Sequence, residues 1–305
     1  MSDKVKKPKD TAFRQQRLKA FIPVHTAKSS ALIFFVASMV FLIFGILLFV
    51  ECNNQTEYST RYDNKCEILK SEPGICNLYF KVNKNLREKV FVYYELRNFY
   101  QNHRLYVKSK SYTQLRGDSP SSTELLNCKY ARYNEDFAGY YTGKDLDARA
   151  TARPCGLIAR SVFNDTFDII DYEIYSSDIV SNTDKKMFKS KDVSKEWTYM
   201  DGHFITWMKI APLPTFRKLY GVIRNGLDKG KIQVNAYSHY DVSEWGGEKW
   251  IVLSTNGKFG GKNTALGVIF IVAGVFCFLC CLVFTSAALF LKQKWMDQDP
   301  RSWRF

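Results

Sequence analysis

ALIFFVASMVFLIFGILLFV, residues 31–50, and ALGVIFIVAGVFCFLCCLVFTSAALFL, residues 265–291, lie near opposite ends of this 305-residue chain and hold no charged residue. A run of about 20 apolar residues, at ~1.5 Å rise per residue, matches a hydrocarbon core of roughly 30 Å. In lipid a helix satisfies its backbone N–H and C=O groups within the segment itself. The two stretches predict transmembrane helices over 31–50 and 265–291. Around them the chain divides into a basic tail 1–30, a mostly polar domain 51–264 and a short tail 292–305.

The net charge of +14 is unevenly placed. Lys4, Lys6, Lys7, Lys9, Arg14, Arg17, Lys19 and Lys28 face only Asp3 and Asp10 in the first tail. Lys292, Lys294, Arg301 and Arg304 outweigh Asp297 and Asp299 in the last. Short basic flanks stay cytosolic, so both termini are expected in the cytosol and the central domain in the lumen or outside. The first apolar core is too long for a signal peptide, and Phe49-Val50-Glu51-Cys52 lacks a small-x-small cleavage site; it reads as a signal anchor. Basic tails beside a membrane set topology and contact anionic headgroups. Nothing beyond charge points to nucleic acid.

Cys52, Cys66, Cys76, Cys128 and Cys155 precede the second span, whereas Cys277, Cys280 and Cys281 lie within it. An extracytoplasmic domain favours disulfides, and the odd count leaves one thiol over, with Cys52 at the membrane boundary the natural exception. Sequential pairing would close two local loops, but spacing does not fix the partners. Asn54-Gln55-Thr56 and Asn164-Asp165-Thr166 are glycosylation sequons, and both fall in the domain assigned outside.

Alternation at Leu78/Phe80/Val82, at Val90/Val92/Tyr94/Leu96 and at Ile232/Val234/Ala236 predicts strands, as does the apolar run Trp250–Leu253. Gly117-Asp118-Ser119-Pro120, Asn225-Gly226, Gly246-Gly247 and Gly260-Gly261 predict turns. The expected fold is an antiparallel, sandwich-like, β-rich domain, disulfide-bonded and glycosylated, between two membrane helices. Within the second span Gly267, Gly274, Cys281 and Ala288 recur every seven residues, and Ala31, Ser38 and Gly45 form a shorter stripe in the first. Small faces let helix backbones approach closely in lipid, so these stripes can pack on each other or on a partner. Cys277-x-x-Cys280, inside an apolar helix without a second pair or a His, reads as packing rather than a metal site.

Catalysis finds little support. His103, His203 and His239 have no metal-ligand spacing, and no nucleophile elbow or phosphate loop is present. Asn134-Glu135-Asp136 and Asp165/Asp168/Asp171 lack the spacing of a calcium loop and read as solvated surface carboxylates. No cofactor, metal or catalytic residue is expected.

Five stretches nevertheless carry a family pattern: Tyr93–Ser109 (YYELRNFYQNHRLYVKS); Pro154–Ala159 (PCGLIA) with Phe163–Thr166 (FNDT); Ala211–Tyr220 (APLPTFRKLY); Leu253-Ser254-Thr255 with Gly260–Asn263 (GGKN); and Thr11–Leu18 (TAFRQQRL). In their order along the chain, with two spans, they resemble the cell division control protein 50, or ligand-effect modulator, family of accessory β-subunits of phospholipid flippases, the type-IV P-type ATPases. The resemblance implies a heterodimer with the catalytic α-subunit of such an ATPase. Its roles there are folding, exit from the endoplasmic reticulum and support of outer-to-cytosolic lipid flipping. It implies residence in the endoplasmic reticulum, Golgi, endosomes or plasma membrane. It also implies that Cys66, Cys76, Cys128 and Cys155 form the family's two disulfides and that Asn164 is a recurrent glycosylation site. Unlike animal members, the chain lacks a further cysteine pair after the first span, and its Cys128–Cys155 segment is longer around Tyr140–Ala152. On this reading Gly267, Gly274, Cys281 and Ala288 dock beside the partner's helices, and Arg14 and Arg17 meet its cytosolic face. The competing readings are a trimeric ligand-gated channel, with Thr285 and Ser286 lining a pore, and a lumenal lipid- or ligand-binding receptor.

Overall fold

A computed structural model describes residues 9–16, 18, 26–66, 74–137, 147–177, 179–188, 201–257 and 260–290. The chain forms two compact units, one from residues 1–50 with 263–305 and the other from residues 51–262.

The first unit is built on two long helices, α1 (Ala27–Asn54) and the last helix of the chain, α3 (Thr264–Phe290). Both are long and apolar enough to cross a membrane. α1 overruns the expected span 31–50 by a turn at each end, because the apolar pattern marks only the uncharged stretch of the helix. The helix itself starts where Thr26 and Ser29 cap it: the Thr26 N–H donates to Ser29 Oγ (3.0 Å) and the Ser29 N–H to Thr26 Oγ1 (3.2 Å). α3 starts one residue before the expected 265, and residue 291 lies outside the described residues. Ser38, Gly45, Gly267, Gly274, Cys277 and Cys281 are buried, whereas Ile33, Val36, Phe44, Ile269, Val272 and Phe276 are exposed. In water such exposure would be strongly unfavourable; in lipid it carries no penalty.

The second unit holds two antiparallel sheets. One has the order β1-β7-β3-β5, from β1 (Glu57–Arg61), β3 (Val90–Arg97), β5 (Phe216–Ile223) and β7 (Glu248–Thr255). The other is β2-β6-β4, from β2 (Gly74–Val82), β4 (Thr166–Ile169) and β6 (Gly230–Ser238). The alternation read from β2, β3 and β6 resolves as expected: Leu78, Phe80, Val82, Val92, Tyr94, Leu96, Ile232, Val234 and Ala236 point inward. Both sheets feed one hydrophobic cluster, joined by Ile251 and Leu253 of β7. The short helix α2 (Gly202–Met208) adds Phe204, Trp207 and Met208, with Asp201 Oδ1 accepting the Phe204 N–H (2.8 Å) at its start. The turns expected at Gly117, Gly226, Gly246 and Gly260 have positive φ at those glycines. At Gly226 (φ +74°) a Cβ would also lie 1.9 Å from the Leu86 carbonyl oxygen, so no other residue fits there.

Two disulfides link Cys66 to Cys76 and Cys128 to Cys155, with Cα atoms 5.3 and 5.7 Å apart. Cys277, Cys280 and Cys281 of the second long helix carry free thiols.

Candidate functional site

Contact between the two long helices is built on absent side chains. A Cβ on Gly267 would stand 3.0 Å from the Phe49 amide nitrogen, and one on Gly274 2.7 Å from Leu42 Cγ. From the other side, a Cβ on Gly45 would lie 2.9 Å from the Ile271 amide nitrogen. Ring pairs Phe41–Phe270 (5.9 Å) and Phe34–Phe284 (5.5 Å) flank these notches. Of the two roles open to the small-residue stripes, the structure therefore shows α1 against α3. α1 occupies the space that the missing side chains of Gly267 and Gly274 leave. Cys281 is buried and Ala288 half-buried. Thr285 and Ser286 turn their hydroxyls onto their own helix, donating to the carbonyls of Cys281 (2.8 Å) and Val283 (2.8 Å). Arg14 is exposed in a short turn at 12–16, and Arg17 lies outside the described residues.

In the second unit the family-patterned stretches interlock. The Phe99 N–H donates to the Pro214 carbonyl (3.0 Å), Asn102 Nδ2 to the Pro212 carbonyl (2.9 Å), and the Ala211 N–H to Gln101 Oε1 (2.9 Å). The second stretch closes on the first where the Leu157 N–H donates to Ser109 Oγ (2.9 Å). Gly156 (φ +114°) allows this, since a Cβ there would sit 2.1 Å from the Ser109 carbonyl oxygen. Gln114 spans the segment before the disulfide, donating to the Ala152 carbonyl (3.1 Å) and accepting the Cys155 N–H (2.9 Å). Phe99 packs on Tyr106, Trp207, Phe216 and Trp245, with ring centroids 5.2–6.1 Å apart. Trp207 Nε1 donates to the Ile158 carbonyl (2.9 Å). Above this cluster opens a shallow groove of about 860 Å³, lined by Tyr100, His103, Leu105, Tyr130 and Arg160 among others. Tyr100, Leu105 and Tyr130 are each more than half exposed, at 58%, 52% and 51%. Within the stretch Tyr93–Ser109, Tyr93–Arg97 is thus core strand, while Tyr100 and Leu105 lie at the surface.

Asp165 corrects the expectation of a solvated carboxylate. Its side chain is fully buried, and Lys249 Nζ donates to its Oδ2 at 2.7 Å. The Tyr62 hydroxyl donates to the same oxygen (2.7 Å), and the His239 and Tyr240 N–H groups to Oδ1 (both 2.6 Å). Lys249 Nζ completes its shell on Ser238 Oγ (2.6 Å) and the Tyr240 carbonyl (2.5 Å). Burial, then the Asp165 charge, push the Tyr62 phenol well above its usual range, so it remains a donor. Every member is satisfied, which is the condition for a buried ion pair to persist. Asp136 is likewise engaged, its Oδ2 accepting the Arg132 (2.8 Å) and Tyr133 (2.9 Å) N–H groups. A second ionic net crosses the four-stranded sheet. Arg217 grips Glu57 with two 2.9 Å bonds and Glu95 with one of 2.5 Å, while Arg97 bonds Glu95 (2.7 Å) and lies 4.2 Å over the Trp250 ring. Among the described residues no group of three or more His, Cys, Asp or Glu is placed to hold a metal.

The sequons sit differently. Asn54 is exposed at the last residue of α1. Asn164 is half-buried on the wall of a cavity of about 310 Å³, and its Oδ1 is buried without a hydrogen-bond partner.

Residues 38–294 match the family model described as LEM3 (ligand-effect modulator 3) family / CDC50 family. The chain belongs to the CDC50/LEM3 family. Among relatives of this CDC50/LEM3 chain is Cell cycle control protein 50A of Bos taurus, 34% identical over 92% of the chain and 88% of the relative. ALA-interacting subunit 3 of Arabidopsis thaliana is 33% identical over 98% and 91%. Phospholipid-transporting ATPase accessory subunit LEM3 of Saccharomyces cerevisiae is 26% identical over 98% and 88%.

Proposed function

We propose that this CDC50/LEM3 chain is the non-catalytic accessory subunit of a phospholipid-transporting P-type ATPase. Its contribution is to the partner's folding, its exit from the endoplasmic reticulum and its outer-to-cytosolic transport of lipid. One observation carries the proposal: the match to a relative named as such an accessory subunit runs over 98% of the chain, helices and central domain together. The fold supports it. Two helices fit a two-pass protein, and the domain between them offers a pinned core and an aromatic surface groove.

In this reading both termini are cytosolic and the domain is lumenal or extracellular, in the secretory pathway or at the plasma membrane. Asn54 and Asn164 carry glycans. ATP hydrolysis belongs to the catalytic subunit. Gly267, Gly274 and Cys281 serve the partner indirectly, by holding α1 and α3 as one pair whose outward apolar faces, with Val36, Phe44, Val272 and Phe276, lie against it. Ala288, Arg14 and Arg17 contribute at the cytosolic side. Such a subunit favours whichever transport conformations it contacts best, through differential affinity.

The test is affinity purification of the full chain from native membranes, with identification of what comes with it. A one-to-one complex with a P-type ATPase is expected. A homotrimer without an ATPase would instead support the channel reading and overturn this one.

A further inference from the structure

The cavity beside Asn164 has features that the accessory role leaves unused. It is lined by Tyr94, Phe163, Thr166, Asp201, His203 and Tyr220, among others, and holds about 310 Å³. A β-bulge shapes it. Val92 of β3 pairs with Gly221 of β5 and Tyr93 with Leu219, so Tyr220 is the extra residue. A bulge re-aims its side chain, and here the Tyr220 hydroxyl accepts the Phe167 N–H (3.1 Å) while its ring meets the His203 imidazole at 4.7 Å. The two rings, 38° from parallel, form an aromatic wall. Asp201 stands at the mouth, exposed, with Oδ1 on the Phe204 N–H. In the wall stands Asn164, with its Oδ1 buried and without a hydrogen-bond partner among the described residues.

An aromatic wall with a carboxylate at its rim suits a pyranose. The ring's C–H face lies on the aromatics and its hydroxyls donate to the acid. The Asn164-Asp165-Thr166 sequon supplies such a ring covalently, at the cavity itself. We propose that the first N-acetylglucosamine of a glycan on Asn164 seats in this cavity against His203 and Tyr220, as a structural part of the domain rather than a solvent-facing modification. The half-burial of Asn164 fits attachment before folding, so that the sheet closes with the sugar in place. The inference rests on Asn164 being glycosylated and is independent of which membrane protein the chain accompanies.

The experiment uses the full chain from a eukaryotic membrane, in detergent. It compares the intact glycoprotein with a sample trimmed by endoglycosidase H to one sugar, and with the variants Thr166→Ala, which removes the sequon, and Thr166→Ser, which keeps it. Glycopeptide mass reports occupancy, and amide hydrogen exchange reports the segment 201–208. Trimmed and Thr166→Ser samples are expected to match the intact protein. Thr166→Ala should exchange about tenfold faster in 201–208 while β2 is unchanged, and a His203→Ala background should abolish that difference. Occupancy at Asn164 with equal exchange in Thr166→Ala and Thr166→Ser would overturn the seat. Absence of sugar at Asn164 in the wild-type protein would overturn its premise.

Discussion

Lys249 and Asp165 lie 84 residues apart, and their 2.7 Å contact ties β7 to the entrance of β4. Removing one partner strands a charge in the core, whereas removing both leaves only a packing defect. Lys249→Met should therefore lose about 3–5 kcal/mol in denaturant unfolding, and adding Asp165→Asn should return part of that loss. Equal loss in the single and double variants would show that packing, not charge, is at stake. No local pattern announces this pair; Asp165 reads as one of three acidic residues at a surface until the fold delivers Lys249 to it. His203 offers a second measurement. Burial, against the opposing pull of Asp201, holds its imidazole below its ordinary value of 6.5. Between that lower value and 6.5 the unfolded chain binds more protons than the folded one, so stability rises with pH across this window and falls on acidification. Wild type should lose more stability between pH 7 and pH 5 than His203→Gln, measured as the shift in thermal midpoint; identical pH profiles would rule out this contribution.

Legibility in the sequence varied from element to element for physical reasons. β2 and β6 alternate visibly because each has one face in the core and one toward solvent, and β3 keeps the period although its other face, with Glu95, is half-buried or buried. β1 (EYSTR) has no apolar face to show; it belongs to the sheet through its pairing with β7 and through Arg61, which bonds Asp63 and Glu248 at 2.8 Å. β5 conceals its period twice, at the Tyr220 bulge and at Lys218. That lysine is buried because its ammonium caps the end of α2, donating to the carbonyls of Thr206 and Trp207 (both 3.0 Å) and Lys209. The long helices were legible as elements and as small-residue faces, but a stripe of glycines does not say what fills it. Since α1 fills it, substitution acts first on the helix pair. Gly267→Leu places atoms against the Phe49 backbone, which cannot swing aside as a side chain can. It should reduce co-purification of the catalytic subunit by several fold while both disulfides still form in the domain, read by non-reducing gel and mass spectrometry. Unchanged recovery would mean that the partner tolerates a splayed pair.

At the scale of the molecule, each unit has its own source of cohesion. The helices meet through glycine notches and ring pairs, and the domain through one core, two disulfides and a buried ion pair. The 51–262 unit does not draw its core from the helices, so the helices can be changed without unfolding it. Partner binding, in the proposed role, depends on both units and gains from their linkage: once one contact forms, the second is effectively intramolecular. Replacing 27–50 and 264–290 with unrelated Leu/Ala helices of equal length separates the two properties. The thermal transition of the domain and its disulfides should be retained. Recovery of the ATPase should fall by an order of magnitude or more, because the domain's contacts then act alone on a tether that no longer docks. Loss of the domain's own transition would place part of its stability in the helices. Full recovery of the ATPase would place all of the recognition in the domain and reduce the helix pair to an anchor.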